Sequence, residues 1–166
     1  MKKFLIIFLS IVAMLFIVSI FLPSEGKVER SITIKAPIDS VYEKIDHIRE
    51  WQNWTIWFEN DSTAKVEFTG PDFGPVATMQ WEGEDGKGKI IITETKKSEY
   101  VNYVMRFQKY APFYGSFQLK QNLDSTTTID WKITFDAGNN PTRKYFCLFM
   151  DQLMGNDLEQ SLEKLR

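Results

Sequence analysis

The chain has 166 residues, 43% of them hydrophobic and 25% charged, with a formal net charge of −2. That length argues for one globular domain, and a near-neutral charge without a basic cluster argues against nucleic acid as a partner. A single cysteine, Cys147, excludes an intrachain disulfide, and a single histidine, His47, leaves no other base for a Ser-His-Asp triad.

Residues 1–3 form a charged N-terminus carrying Lys2 and Lys3, followed by an uncharged run, 4–22, in which 15 of 19 residues are Leu, Ile, Val or Phe. A helix of that length spans about 28 Å, against roughly 30 Å of bilayer hydrocarbon. Its aliphatic and Phe side chains contribute about −5 to −9 kcal/mol toward insertion. The run is therefore expected to be a transmembrane anchor. A cleaved signal sequence is the alternative, but such apolar regions run only about 7 to 15 residues. The one small-x-small site here is Ser24-Glu25-Gly26. Lys2, Lys3 and the α-amino group, set against Lys27 and Arg30, favour a single-pass protein with its domain on the extracytoplasmic side.

Residues 23–27 read as a short connector, and 28–166 as the domain. Val28 to Lys35 alternates apolar and polar residues, as a half-buried strand does, and Ala36-Pro37 ends it. Asp39 then opens a helix with Val41, Ile45 and Ile48 on one face. Trp51, Trp54 and Trp57, at steps of three, read as a second short helix. From Ala64 the period changes to two. Strands are expected around Val66 and Phe68, Ala77 to Trp81, Lys89 to Thr95, Val101 to Phe107, Phe113 to Leu119 and Ile129 to Phe135, with a hairpin turn at Asp85-Gly86. Asn140 can cap, and Pro141 can open, a last helix striped by Phe146, Phe149, Leu153, Leu158, Leu162 and Leu165, with Gly155 loosening its middle. The order is one strand, two helices, six strands and a long helix. A sheet with one apolar face needs a cover, and the last helix is long enough to supply it.

Several segments carry a family resemblance. SITIKAPIDSVYEKI resembles the opening strand, Ala-Pro break and first helix of the polyketide cyclase/dehydrase and lipid-transport family. WQNWTIW resembles that family's tryptophan-rich segment, GPDFGPVATMQWEGEDGKGKI its Gly-rich strand pair, and TTTIDWKITF with DLEQSLEKLR its penultimate strand and the end of its last helix. The likeness runs from Val28 to Arg166 and departs at Gly74-Pro75, where a fuller Gly-x-Gly is expected. It implies an α+β helix-grip fold of the START/Bet v 1-like (SRPBCC) kind. In that fold a curved antiparallel sheet of about seven strands wraps on a long C-terminal helix, with a cavity between them for hydrophobic molecules or lipids.

The inward-facing residues that could line such a cavity are Trp57, Met79, Trp81, Met105, Phe107, Phe117, Trp131, Met150 and Met154. The competing reading is that these residues simply pack as core. The tryptophan segment has a third use, as amphipathic rings resting at a membrane interface. His47 suits a helix terminus, Cys147 a buried thiol, and Glu82, Glu84 and Asp85 a solvated turn, while Arg106 and Asp130 face outward and could pair. No acid and base converge, and no cofactor, metal or catalytic residue is expected. Three functions stay open: a non-catalytic binding domain for a hydrophobic or lipid-like molecule, a cyclase- or dehydrase-type enzyme using the same cavity, and a protein-interaction domain with a filled core. The chain names no protein partner.

Overall fold

In a computed structural model every residue is described except 58, 60, 62, 85 and 109. A helix, α1 (Lys2–Phe21), is solvent-facing along almost its whole length. It is the one helix long and apolar enough to cross a membrane among the described residues, a form shared by a single span and a signal sequence. Leu22 breaks it in an extended conformation.

The domain follows as β1 (Glu25–Ile34), α2 (Ile38–Asp46), a 3-10 turn (Ile48–Glu50), α3 (Trp51–Trp54), β2 (Lys65–Thr69), β3 (Thr78–Gly83), β4 (Gly86–Lys96), β5 (Tyr100–Phe107), β6 (Phe113–Gln121), β7 (Thr127–Asp136) and α4 (Pro141–Leu165). The seven strands form one antiparallel sheet in the order β1-β7-β6-β5-β4-β3-β2. Long strands separated by tight turns explain this meander, and β1 joins it by pairing with β7 at the far edge. A register shift between Ile92 and Glu94 lets the β4–β5 pair bend, curving the sheet.

The helix-grip expectation holds: the inner face of the sheet is apolar, and α4 lies along β1 to close it. Asn140 caps α4 by accepting from the Arg143 amide at 3.1 Å, with Pro141 at its first position. Four local readings change. β1 begins at Glu25, paired with Asp136, so most of the expected connector is already strand. The tryptophan helix stops at Trp54, because Thr55 turns extended and bonds the Trp51 carbonyl through its amide (2.8 Å) and hydroxyl (2.7 Å); Trp57 lies beyond it. On α4 the face buried by the sheet holds Cys147, Met150 and Leu158, whereas Phe149 and Leu153, both expected in the buried stripe, are 51% and 59% exposed. Finally, Arg106 sits near the Phe113–Phe135 rung, about 20 Å along β7 from Asp130, too far to pair.

Gly155 does not loosen α4. It is buried, and the Arg30 guanidinium from β1 lies across it where a Cβ would stand. Arg30 bonds Asp151 through Nη1 at 2.7 Å and Glu159 through Nε at 2.5 Å, one turn to either side of the glycine. At Gly74-Pro75 the turn is completed by Val76 at φ 67°, a conformation costly for a β-branched residue. It is held by the Val76 amide donating to Ile92 O at 2.8 Å and the Gly74 amide donating to the buried Asp46 carboxylate at 3.2 Å.

Candidate functional site

Two aromatic clusters occupy the inner face, and alternation along the strands supplies both. The first lies under α2 and α3. Trp51 is fully buried, with its indole N–H donating to Ile45 O at 2.7 Å, and Trp54 donates to Lys44 O at 3.3 Å. The last carbonyls of α2 thus pin both rings. Trp51 meets Tyr103 edge-on at 5.0 Å, while Phe117 and Trp131 stack at 4.9 Å and 29°. The Trp131 indole donates to the Tyr103 hydroxyl at 2.8 Å, and burial pushes the Tyr103 phenol well above its usual range. No buried side-chain nitrogen or oxygen lacks a partner among the described residues. This end of the interior is closed.

The second cluster lies at the end of the sheet from which α1 departs. Trp81 and Phe107 meet edge-on at 5.7 Å, Phe107 and Phe113 at 5.8 Å, and Phe146 of α4 closes on Phe113 at 6.1 Å and Phe135 at 5.2 Å. Trp81 lies over Gly88, its cross-strand partner, where any side chain would collide with the indole. The rings of Trp81, Phe107 and Phe146 are only half-buried, as are Val66 and Phe68 on β2 beside them.

The nine cavity candidates therefore divide. Met79, Met105, Phe117, Trp131 and Met150 are at most 2% exposed and pack into the continuous core. Trp57, Trp81, Phe107 and Met154 are half-buried and pack against that core from its margin. Val66, Phe68 and Phe146 belong with this second group and were not among the candidates, although the first two share the inward parity that selected Trp81. Two surface grooves, of about 900 Å³ and 300 Å³, both involve the outer face of the sheet. The larger is of mixed character: it runs past Lys65, Glu67, Gln80, Lys89 and Arg106 and also past Trp81, Phe107 and Tyr110.

The remaining candidates have structural settings. His47 ends α2, its Nδ1 lying 2.8 Å from Glu43 O and its ring 5.1 Å from Phe73. Cys147 is buried, and that burial pushes its thiol up, away from the reactive thiolate. Glu82 pairs with Lys87 across the β3–β4 hairpin, while Asp85 lies outside the described residues. No group of His, Cys, Asp and Glu able to hold a metal occurs among the described residues. Chemically, the inner face offers apolar and aromatic contact, with the Tyr103 hydroxyl already engaged.

Solved structures share this architecture. A protein from Nitrosospira multiformis is 17% identical with a TM-score of 0.59, covering 84% of this chain and 93% of its own. The protein XoxI from Bacillus cereus is 12% identical with a TM-score of 0.61, covering 84% and 92%. Ara h 8.0201 is 12% identical with a TM-score of 0.55, covering 85% and 98%. At such identities the likeness speaks for the fold alone, and no curated protein matches the sequence. A family model described as polyketide cyclase / dehydrase and lipid transport matches residues 25–166, the whole sheet and its covering helix, and the chain belongs to that family.

Proposed function

We propose that this chain is a membrane-tethered helix-grip domain that holds a hydrophobic or lipid-like small molecule without transforming it. The observation that carries the reading is the half-buried apolar margin formed by Trp57, Val66, Phe68, Trp81, Phe107, Phe146 and Met154, continuous with the core. Such a margin gives an apolar ligand large contact area, and its methionine adapts to varied shapes. Membership of a family described by both cyclase/dehydrase chemistry and lipid transport supports a small-molecule ligand. Residues 4–22 serve as the anchor, with the domain on the extracytoplasmic side.

Native mass spectrometry of residues 23–166, starting before Glu25 so that β1 is whole, tests this directly. A co-purified apolar molecule, lost when Trp81 and Phe107 are replaced by alanine, is the expected result. A ligand-free domain that also fails to take up fatty acids or phospholipids overturns it. The filled cluster around Trp131 favours a second reading, a protein-interaction domain with a solid core, and that ligand-free outcome would select it.

A further inference from the structure

The outward face of α4 changes character halfway along its length. In its first half the exposed side chains include Leu148, Phe149 and Leu153, at 48%, 51% and 59% exposure. In its second half they are Asn156, Glu159, Gln160, Glu163 and Lys164. Cys147, Met150 and Leu158 on the opposite face are buried throughout, so packing on the sheet does not explain the switch. The first half thus carries an exposed apolar cluster beside exposed Thr142, Arg143, Asp151 and Gln152, and the second half exposes no large apolar side chain.

The apolar half is the half that meets α1. The Tyr145 hydroxyl donates to the Leu15 carbonyl at 2.9 Å, and Ser19 is buried nearby at 3% exposure. Leu15 lies seven residues before Leu22, where the apolar run ends, and so about 10 Å inward along the helix axis. A contact at that depth cannot be made by a domain standing clear of the membrane. Tyr145, Leu148, Phe149 and Leu153 share one side of α4 by their three- and four-residue spacing. The first turn of α4 carries Arg143 and Lys144 and no acid. Cations there oppose the helix dipole, a cost that an anionic phosphate layer offsets.

We propose that the N-terminal half of α4 rests in the lipid interface beside α1, with Leu148, Phe149 and Leu153 among the acyl chains and Arg143 and Lys144 at phosphate level. This deepens the proposed function and rests on α1 being a retained span. Phe146 and Met154, on the inner side of the same turns, then hold the apolar margin open toward the bilayer, so a lipid-like ligand reaches it without crossing water.

The test uses the full chain in vesicles of phosphatidylcholine and phosphatidylglycerol, with p-benzoylphenylalanine replacing Phe149, Leu153, Phe16 or Leu123 one at a time. Leu123 is fully exposed on the β6–β7 hairpin at the far end of the sheet. Lipid photo-adducts at Phe149 and Leu153 comparable to those at Phe16, with none at Leu123, are expected. Adducts at Phe16 but none at Phe149 or Leu153 overturn the docking while leaving the anchor intact. Adducts from Phe149 to a second copy of the chain also overturn it. Absence of lipid adducts at Phe16 removes the anchor itself, and the docking with it.

Discussion

The two aromatic clusters are made of the same residue types on the same face of one sheet, yet they end in different states. Around Trp131 every ring is covered except that of half-buried Trp57, which packs on Trp131 from the margin, and every buried side-chain polar atom described has a partner: α3 drops Trp51 and Trp54 onto Phe117, and the Tyr103 hydroxyl accepts the Trp131 N–H. Around Trp81 the ring stays half-buried, and the first half of α4 reaches Phe113 and Phe135 of the same cluster through Phe146. Inward parity brings an aromatic ring to the interior face. Whether it becomes core or contact surface is decided by what lies above it.

Substitution should separate the two ends sharply. Trp131→Ala empties the middle of the closed cluster and strips the Tyr103 hydroxyl of its partner, so a loss of about 3–5 kcal/mol is expected in urea or thermal unfolding. Binding of an apolar fluorescent probe by the fraction still folded should be unchanged. A large change in probe affinity with near-normal stability would place the binding site in the closed end and reverse the comparison. Gly155→Ala comes next. In an open helix this change stabilises by about 1 kcal/mol. Here the new methyl displaces the Arg30 guanidinium, the far end of a flexible side chain, and disturbs its pairs with Asp151 and Glu159, so the usual gain is cancelled and a net loss of up to about 1 kcal/mol is expected. A gain in melting temperature would show that α4 can lift off β1 at no cost.

Much of this was legible in the chain. The seven strands announced themselves by period two, and the cap at Asn140 by residue type. The direction of α4 was not legible, because the helix is apolar on two sides in its first half. Cys147, Met150 and Met154 face the sheet, and Leu148, Phe149 and Leu153 face away, so periodicity alone cannot choose between them. Gly26, which lets Cys147 and Met150 approach β1, settles the choice, and that is a contact between residues more than a hundred positions apart. Trp57 was misplaced for a related reason: steps of three suggest a helix, but Thr55 bonds back to the Trp51 carbonyl and ends it. Among the site residues, Val66 and Phe68 follow from extending the parity that selects Trp81, and Phe146 from the helical stripe that already contains it. What separates them from buried Met79 or Phe117 is cover, which a strand's own sequence does not encode.

At the open end the balance of effects should invert. Trp81→Ala removes a ring that is only half-buried, so about 1–2 kcal/mol of stability is at stake. The same change should weaken binding of an apolar probe by about tenfold, the worth of one well-packed aromatic contact. Equal probe affinity in Trp81→Ala and the parent protein would make the margin ordinary surface and leave the filled-core reading in possession.

The smallest effect concerns pH and the clasp that holds α4 in place. The Arg30 guanidinium holds the Asp151 carboxyl below its usual range. A carboxyl depressed on folding contributes its stability above the unfolded value of about 3.9 and loses it as pH falls through the lower folded value. Asp157 runs the other way, since burial raises its carboxyl, but it has no bond to Arg30. Arg30→Met keeps the unbranched apolar stem of the side chain and removes its charged guanidinium. Subtracting the two unfolding curves should therefore cancel Asp157 and isolate the clasp: the parent should lose more stability than Arg30→Met as pH drops from about 4 toward 2, and differ little from it in slope near neutrality. Because Asp151 is solvent-exposed, salt should shrink the difference further. Parallel acid limbs in low salt would mean that Arg30 holds α4 by filling the groove at Gly155 rather than by charge, and the open end of the sheet would then owe its geometry to packing alone.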